Sequence, residues 1–461
     1  MDDHVDEMNL TRFDISSSSK LSKSRLFNLC LVDKRWYKAA TPSLYHAFRA
    51  GLSITFLRFL RTLIQHPDLA IYVRSVMLPH SFRRYDYTHV GAFKDILRCR
   101  ALALGIPLSE HMRFWAGNLW VADIFDDMWE FLEEMLLIHT PNIVSFRLLG
   151  RAGLTVGRSL FKYLNIIARS PRQWHGMRCL RHITLEVAFP VNSPESHYMA
   201  WLSSLASVAP SVRQLSILVF TMNTSSTYPA SATTHPQIPT PAHVVDFLSG
   251  LRSLHITSYS DLQSTRGTLE ILIGHCKSLE EVWYRSASTN AASIVQLIRP
   301  LSPTLKRLGV TVDICSHEQT VWGGPGNDLA AVFEAIAGLT SLEVLRLDAS
   351  VNPNEMAVNG VNRPNMTVSS MRALPKSLRI LTITGCKWPF LTESLSQLAG
   401  LVQGGILPSF RSFNLGWDSL IRCHPFIEVF AELGVDMKMY PNEAFWGEKE
   451  NVKHKAEGWM Q

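Results

Sequence analysis

The sequence predicts an α/β solenoid, a parallel sheet lined by helices, and three observations lead there. The first is a spacing, apolar-x-x-apolar-x-apolar, at Ile143/Phe146/Leu148, Leu180/Ile183/Leu185, Val212/Leu215/Ile217, Leu251/Leu254/Ile256, Leu279/Val282/Tyr284, Leu305/Leu308/Val310, Leu342/Leu345/Leu347, Leu378/Leu381/Ile383 and Phe410/Phe413/Leu415. The second is its period: the first positions lie 37, 32, 39, 28, 26, 37, 36 and 32 residues apart, room for one short strand and one returning helix. The third is that helical periodicity returns between these segments, so strand and helix alternate. Parallel strands require a crossover, which is right-handed almost without exception, so the strands form one inner sheet and the helices cover it.

Taken in chain order, residues 1–20 are acidic and end in four serines and Lys20, too poor in apolar groups to offset the entropy of ordering, and read as a flexible start. From Leu21 to about Phe48 the apolar groups Leu26, Leu29, Cys30, Val32 and Trp36 fall at helical steps. Thr41-Pro42 is expected to punctuate that helix, because the residue before proline is pushed out of the α region. A second helix is expected over Ile54–Ile64, ending before His66-Pro67. Val73/Val76/Leu78 repeats the strand spacing once, 70 residues before Ile143, a gap of about two repeats holding expected helices at Ala92–Leu104 and Ile124–Ile138. The missing repeat there is either interrupted by an insertion or too divergent to see. Further helices are expected at Trp201–Val208, Thr268–Cys276, Ala292–Leu301, Leu329–Leu339 and Leu391–Val402. Irregular stretches at Ala188–Tyr198, Thr221–Ala242, Ser316–Asp328 and Asn352–Ser369 all follow a strand and should project from one edge, where binding specificity is usually carried. The organisation that results is a flexible segment at 1–20, a helical segment at 21–66, a solenoid at 67–440 and a charged tail at 441–461.

Composition agrees with a folded chain: 46% of the 461 residues are hydrophobic and 18% charged. The net charge of +6 is spread without a long Lys/Arg run, which does not nominate nucleic acid as a partner. The seven cysteines lie at least 37 residues apart with no C-x-x-C pair, as reduced thiols do. No signal peptide and no run of eighteen apolar residues is visible, so a cytoplasmic or nuclear protein away from membranes is expected, and the sequons at Asn9, Asn223 and Asn365 carry no weight.

Two family resemblances follow. The strand spacing resembles the leucine-rich repeat L-x-x-L-x-L-x-x-N/C, completed in full only by Leu378/Leu381/Ile383/Cys386, so the likeness is to irregular repeats of variable length. Residues 26–45, LFNLCLVDKRWYKAATPSLY, resemble the second half of an F-box, approximately L-x-x-L-x-L-V-x-K-R-W-Y-x-x-A-T-P-x-L-Y. In fungal proteins of this kind a segment like Leu60–Leu78 leads from the F-box into leucine-rich repeats. The L-P-x-E-I-L-type helix that opens an F-box has no match upstream, where Met8–Ile15 and the serines stand.

The resemblance implies a substrate-recognition subunit of a cullin-RING (SCF-type) ubiquitin ligase. Its F-box-like segment would hold a Skp-family adaptor, and through it the cullin complex, by way of Leu26, Leu29, Leu31, Val32, Lys34, Arg35, Trp36, Tyr37, Pro42, Leu44 and Tyr45. Its repeats would hold a target protein on the concave strand face and post-strand loops. The competing reading is a repeat scaffold without a ligase role, in which residues 21–66 cap the exposed end of the array, as terminal repeats require.

Nothing in the chain nominates a nucleophile, base, metal site or cofactor. His111, His182, His255 and His275 stand singly, without a second ligand at metal-like spacing. Gly323-Gly324-Pro325-Gly326 lacks the Walker G-x-x-x-x-G-K-[ST] pattern, and no G-x-S-x-G or H-E-x-x-H is present. A non-enzymatic binding protein is expected.

Overall fold

A computed structural model describes residues 25, 28, 31, 34–49, 53–78, 93–106, 131–148, 161–168, 177–190, 195–222, 240–258, 266–286, 291–314, 329–351, 371–384, 391–417 and 424–441. Among these residues twelve strands form one sheet in strict chain order, and every neighbouring pair is parallel. They are β1 (Ala47–Arg49), β2 (Ser75–Leu78), β3 (Ser145–Leu148), β4 (His182–Pro190), β5 (Gln214–Met222), β6 (Ser253–Ser258), β7 (Glu281–Ser286), β8 (Arg307–Ile314), β9 (Val344–Val351), β10 (Ile380–Thr384), β11 (Ser412–Trp417) and β12 (Asp436–Pro441).

The helices are α1 (Lys34–Tyr45), α2 (Ser53–Gln65), α3 (Pro67–Ala70), α4 (Lys94–Ala103), α5 (131–138), α6 (Lys162–Ala168), α7 (Glu195–Val208), α8 (Ala242–Ser249), α9 (Arg266–His275), α10 (Ala291–Ile298), α11 (Leu329–Ile336), α12 (Leu391–Gln403) and α13 (His424–Glu432). They pack on their sequence neighbours from α6 to α11, so sheet and helices form a solenoid-like stack.

Register explains why the apolar spacing recurs. The middle apolar residues lie side by side in one ladder: Phe48, Val76, Phe146, Ile183, Leu215, Leu254, Val282, Leu308, Leu345, Leu381, Phe413 and Met437. Successive strand side chains alternate faces, so this row and the one two residues later point into the same core as the helices' buried stripe. The first apolar residue of each of the ten units from Val73 to Phe410 is fully buried in the turn that feeds the strand. The residue between turn and strand carries the pairing across: the carbonyl of Arg213 accepts the N–H groups of Arg252 and Ser253 at 2.8 and 3.0 Å, and the same double acceptance recurs from His46 to Arg379.

Several expectations change. β2 pairs directly with β3, Val76 opposite Phe146, so no strand of the sheet stands between them, and the described residues of the long gap hold α4 and α5. Two strands escape the spacing. β1 is three residues long and lies inside the 21–66 segment, and β12 has Gly434 where other units put a large apolar residue, with Val435 buried beside it. The Thr41-Pro42 break does not occur, for α1 runs through Pro42 to Tyr45. Proline near a helix C-terminus forfeits only one backbone bond. Around it Ala40 and Thr41 are buried, and Thr41 Oγ1 donates to the Tyr37 carbonyl at 2.5 Å.

Of the irregular stretches, Ala188–Pro190 continues β4 and Glu195–Tyr198 opens α7, while 223–239, 315–328 and 352–370 lie outside the described residues. Residues 1–20 and 442–461, and Cys386 of the one complete repeat motif, lie outside them too. No helix among the described residues is long and apolar enough to cross a membrane.

Candidate partner interface

Helix α1 stands apart from the core at its start and joins it at its end. Residues Lys34 to Ala39 are all exposed, and burial begins at Ala40. Leu31 is 71% exposed, Trp36 52% and Tyr37 47%, among the most exposed large apolar side chains described. Lys34 and Arg35 share that exposed stretch. Pro42, Leu44 and Tyr45 are half-buried instead, and Leu26, Leu29 and Val32 lie outside the described residues. Tyr45 and Phe48 both stack on Phe59 of α2, at centroid distances of 6.2 and 3.9 Å, closing the core beneath β1. The described F-box-like residues therefore divide into an outward group, Leu31, Lys34, Arg35, Trp36 and Tyr37, and an anchoring group, Pro42, Leu44 and Tyr45. Trp, Tyr and Arg clustered in the outward group are the residue types that dominate interface energetics once buried by a partner.

The sheet's face away from the helices is the second candidate surface. On β1–β6, the residue before each strand and the strand's first and third residues include Arg49, Arg74, Arg147, Arg181, Arg213 and Arg252, and no carboxylate. Glu186, at the fifth position of β4, is the first acidic residue further along these strands. Arg74, Arg181 and Arg213 each donate from Nη1 to the carbonyl preceding the next unit's first apolar residue: Asn142 O at 3.2 Å, Ser211 O at 2.9 Å and Gly250 O at 2.7 Å. These bonds tie one repeat to the next without neutralising the charge. His182 lies beside them, its pKa lowered by partial burial first and by the Arg181 charge second.

On β7–β12 the same positions carry Lys306, Arg307, Arg346, Arg379, Arg411 and Lys438 interleaved with Glu280, Glu281, Glu343 and Asp436. Glu280 accepts from Lys306 at 3.0 Å and faces Arg252 at 3.7 Å; Glu343 faces Arg379 at 3.4 Å. At the centre, Glu281 accepts the Trp283 indole N–H, and His255 Nε2 and Arg307 Nη1 stand 3.6 and 3.8 Å from its two oxygens. Burial raises the Glu281 pKa, but those hydrogen bonds and the His255 and Arg307 charges outweigh it, leaving the group below its ordinary value. The Trp283 ring lies over Gly309 so closely that a Cβ there would fall 1.9 Å from Cε3. Further on, Thr384 donates to Asp348, which Arg346 also faces at 3.8 Å, and Asn414 donates to Thr382 at 3.2 Å.

Two buried titratable groups are structural. Met135 O can only accept, so His139 Nδ1 carries the proton and donates at 2.7 Å; Nε2 then accepts from Arg100 Nε at 2.8 Å. Burial chiefly, and the Arg100 charge, lower the His139 pKa to about 4 against the pull of the Met135 bond. Cys276 is buried, donates to Leu272 O at 2.9 Å and has its pKa raised to about 12 by burial, so it remains a thiol. Neither was singled out by sequence, since burial is what shifts them. Among the described residues no group of three or more His, Cys, Asp or Glu is placed to hold a metal ion.

No protein-family model matches the chain, and a search of the curated proteins finds no match.

Proposed function

We propose that this chain is the substrate-recognition subunit of an SCF-type E3 ubiquitin ligase, with α1 docking a Skp-family adaptor and the strand stack, read as irregular leucine-rich repeats, holding the target. The observation that carries the reading is the exposure of Trp36 and Tyr37 on a helix set at the start of a parallel strand stack, with Leu31 exposed ahead of it, within the stretch that resembles an F-box. Such side chains left in water on an otherwise well-packed molecule mark a surface to be covered. The chain supplies binding energy and geometry, and partner enzymes carry the chemistry.

The test is co-purification with a Skp-family adaptor and cullin. The native chain retains both, and Trp36→Ala weakens adaptor binding by about 2 kcal/mol or more, roughly thirtyfold, with the melting curve unmoved because Trp36 is outside the core. Failure of the native chain to recover adaptor removes the ligase reading. The second reading, a repeat scaffold capped by residues 21–66, is favoured by the burial of Ala40 and Thr41 and the Tyr45, Phe48 and Phe59 stack at the first strand. It expects Trp36→Ala to leave every partner in place.

A further inference from the structure

We infer that the β1–β6 half of the open sheet face is selective for an acidic segment of a partner protein, through the row of arginines that successive strands bring into line. This deepens the proposed function by giving the chemistry of the target, and rests on reading that face as the target surface.

The juxtaposition is a product of register. Arg181, Arg213 and Arg252 precede β4, β5 and β6 at one equivalent position, with Arg74 preceding β2 at the same level and Arg49 three residues further along β1. Neighbouring strands are only about 4.8 Å apart, so the cations of adjacent strands repel one another unless an anion lies across them. On β7–β12 the fold supplies that anion itself at Glu280, Glu281 and Glu343, and Glu280 also reaches back to Arg252 at 3.7 Å, so Arg252 marks the end of the row and Arg74, Arg181 and Arg213 carry it. On β1–β6 the corresponding positions hold Ser, Gln, His, Thr, Ala, Val and Met. The carbonyls that Arg74, Arg181 and Arg213 grip engage one nitrogen of each guanidinium and fix its direction. A guanidinium carries five N–H donors in a planar fork, so each keeps donors for a carboxylate or phosphate while its position is already set. Charge complementarity therefore selects a polyanionic occupant. Exposed side chains spread over several strands suit an extended peptide bearing repeated acidic groups.

The experiment uses the full chain and fluorescent 20-residue probes: a Glu/Ser peptide, its Gln/Ser counterpart, a phosphoserine peptide and single-stranded DNA. The Glu/Ser or phosphoserine peptide binds and the Gln/Ser peptide does not. Whichever acidic peptide binds more tightly names carboxylate or phosphate as the native anion. Arg181→Glu with Arg213→Glu weakens binding about tenfold or more, while Arg379→Glu with Arg411→Glu, at the same strand position in the other half, changes it less than about threefold. Because Arg181 and Arg213 also hold carbonyls, Arg181→Lys with Arg213→Lys is the companion variant: it loses the forked geometry, keeps the charge and retains most of the binding. Equal loss from the two Glu pairs, tighter binding of DNA than of either acidic peptide, or no peptide binding at 50 mM salt overturns the inference. Adaptor recovery through α1 is read separately in each variant, so a failed adaptor contact and a failed acidic surface cannot be mistaken for one another.

Discussion

The two halves of the sheet have one backbone plan and one core, and differ in what the strands turn outward. From β1 to β6 the residue before each strand and the strand's first and third residues are cationic or neutral, and Arg74, Arg181 and Arg213 bond to backbone carbonyls of the next repeat. From β7 to β12 they carry both signs, and side chains bond across strands, from Trp283, His255 and Arg307 to Glu281, from Thr384 to Asp348, from Asn414 to Thr382. A repeat fold fixes the inward positions because all of them meet one core. The outward ones are free to diverge: in the second half they pair with one another, whereas in the first Arg74, Arg181 and Arg213 bond to backbone carbonyls and keep further donors.

If the core is common to both halves, its loss should cost the same in each. Leu215→Ala on β5 and Leu345→Ala on β9 remove fully buried side chains at equivalent positions of the ladder. Each is expected to lose about 2 to 5 kcal/mol in urea unfolding, through lost burial and the cavity left behind. The two values should agree to within about 1 kcal/mol; a cost confined to one half would mean that the stack melts as two units.

Acid separates the halves. The folded pKa of His139 is lowered from 6.5 to about 4, so between those values the unfolded chain binds the extra proton. The stability His139 contributes is complete above pH 6.5 and is lost as pH falls toward 4, by a total of about 3 kcal/mol. Glu281 is also depressed, from 4.5, so its contribution holds above that value and fades only as pH falls below it. Melting curves from pH 7.5 to 5 should therefore report the first half alone, and His139→Asn should reduce their slope to the share left by His182, whose pKa is also lowered, while Glu281→Gln leaves it unchanged. A slope undiminished by His139→Asn assigns the titration elsewhere.

Close approach is the next effect in size, and it belongs to the second half. Gly309→Ala places a methyl group inside the Trp283 ring and is expected to cost about 1 to 3 kcal/mol. In a Trp283→Ala background the same substitution should be nearly neutral, since the ring is what the methyl meets. An equal cost in both backgrounds would place the constraint in the β8 backbone.

Legibility in the sequence follows the same division. The inward ladder was readable because each unit must put apolar groups at three fixed offsets, and the ten units from Val73 to Phe410 all became strands in register. β1 and β12 were not, since three residues after a helix show no alternation and Gly434 erases the leading apolar residue. The seven-residue helix α6 completes too few turns to establish a period. For α1 the residues were legible as a motif, but which of them face water was not: exposure of Trp36 and burial of Thr41 depend on where β1 and α2 lie. The arginine row was invisible for another reason. Its members are spaced tens of residues apart along a chain whose overall charge is near balance, and only strand pairing brings them side by side.

The boundary between the halves runs through Glu280, and its removal is the smallest change considered but the most discriminating. Glu280 lies between Arg252 and Lys306 and is itself partly exposed, so Glu280→Gln should alter stability by no more than about 1 kcal/mol, as exposed ion pairs do. The substitution nonetheless extends the row of cations preceding the strands from β6 to β8. If uncompensated charge is what an acidic peptide reads, its affinity should rise severalfold on that change alone, and the rise should vanish in high salt. A fall in affinity would mean instead that Glu280 orients Arg252 for the partner, and that geometry rather than charge sets the limit of the binding face.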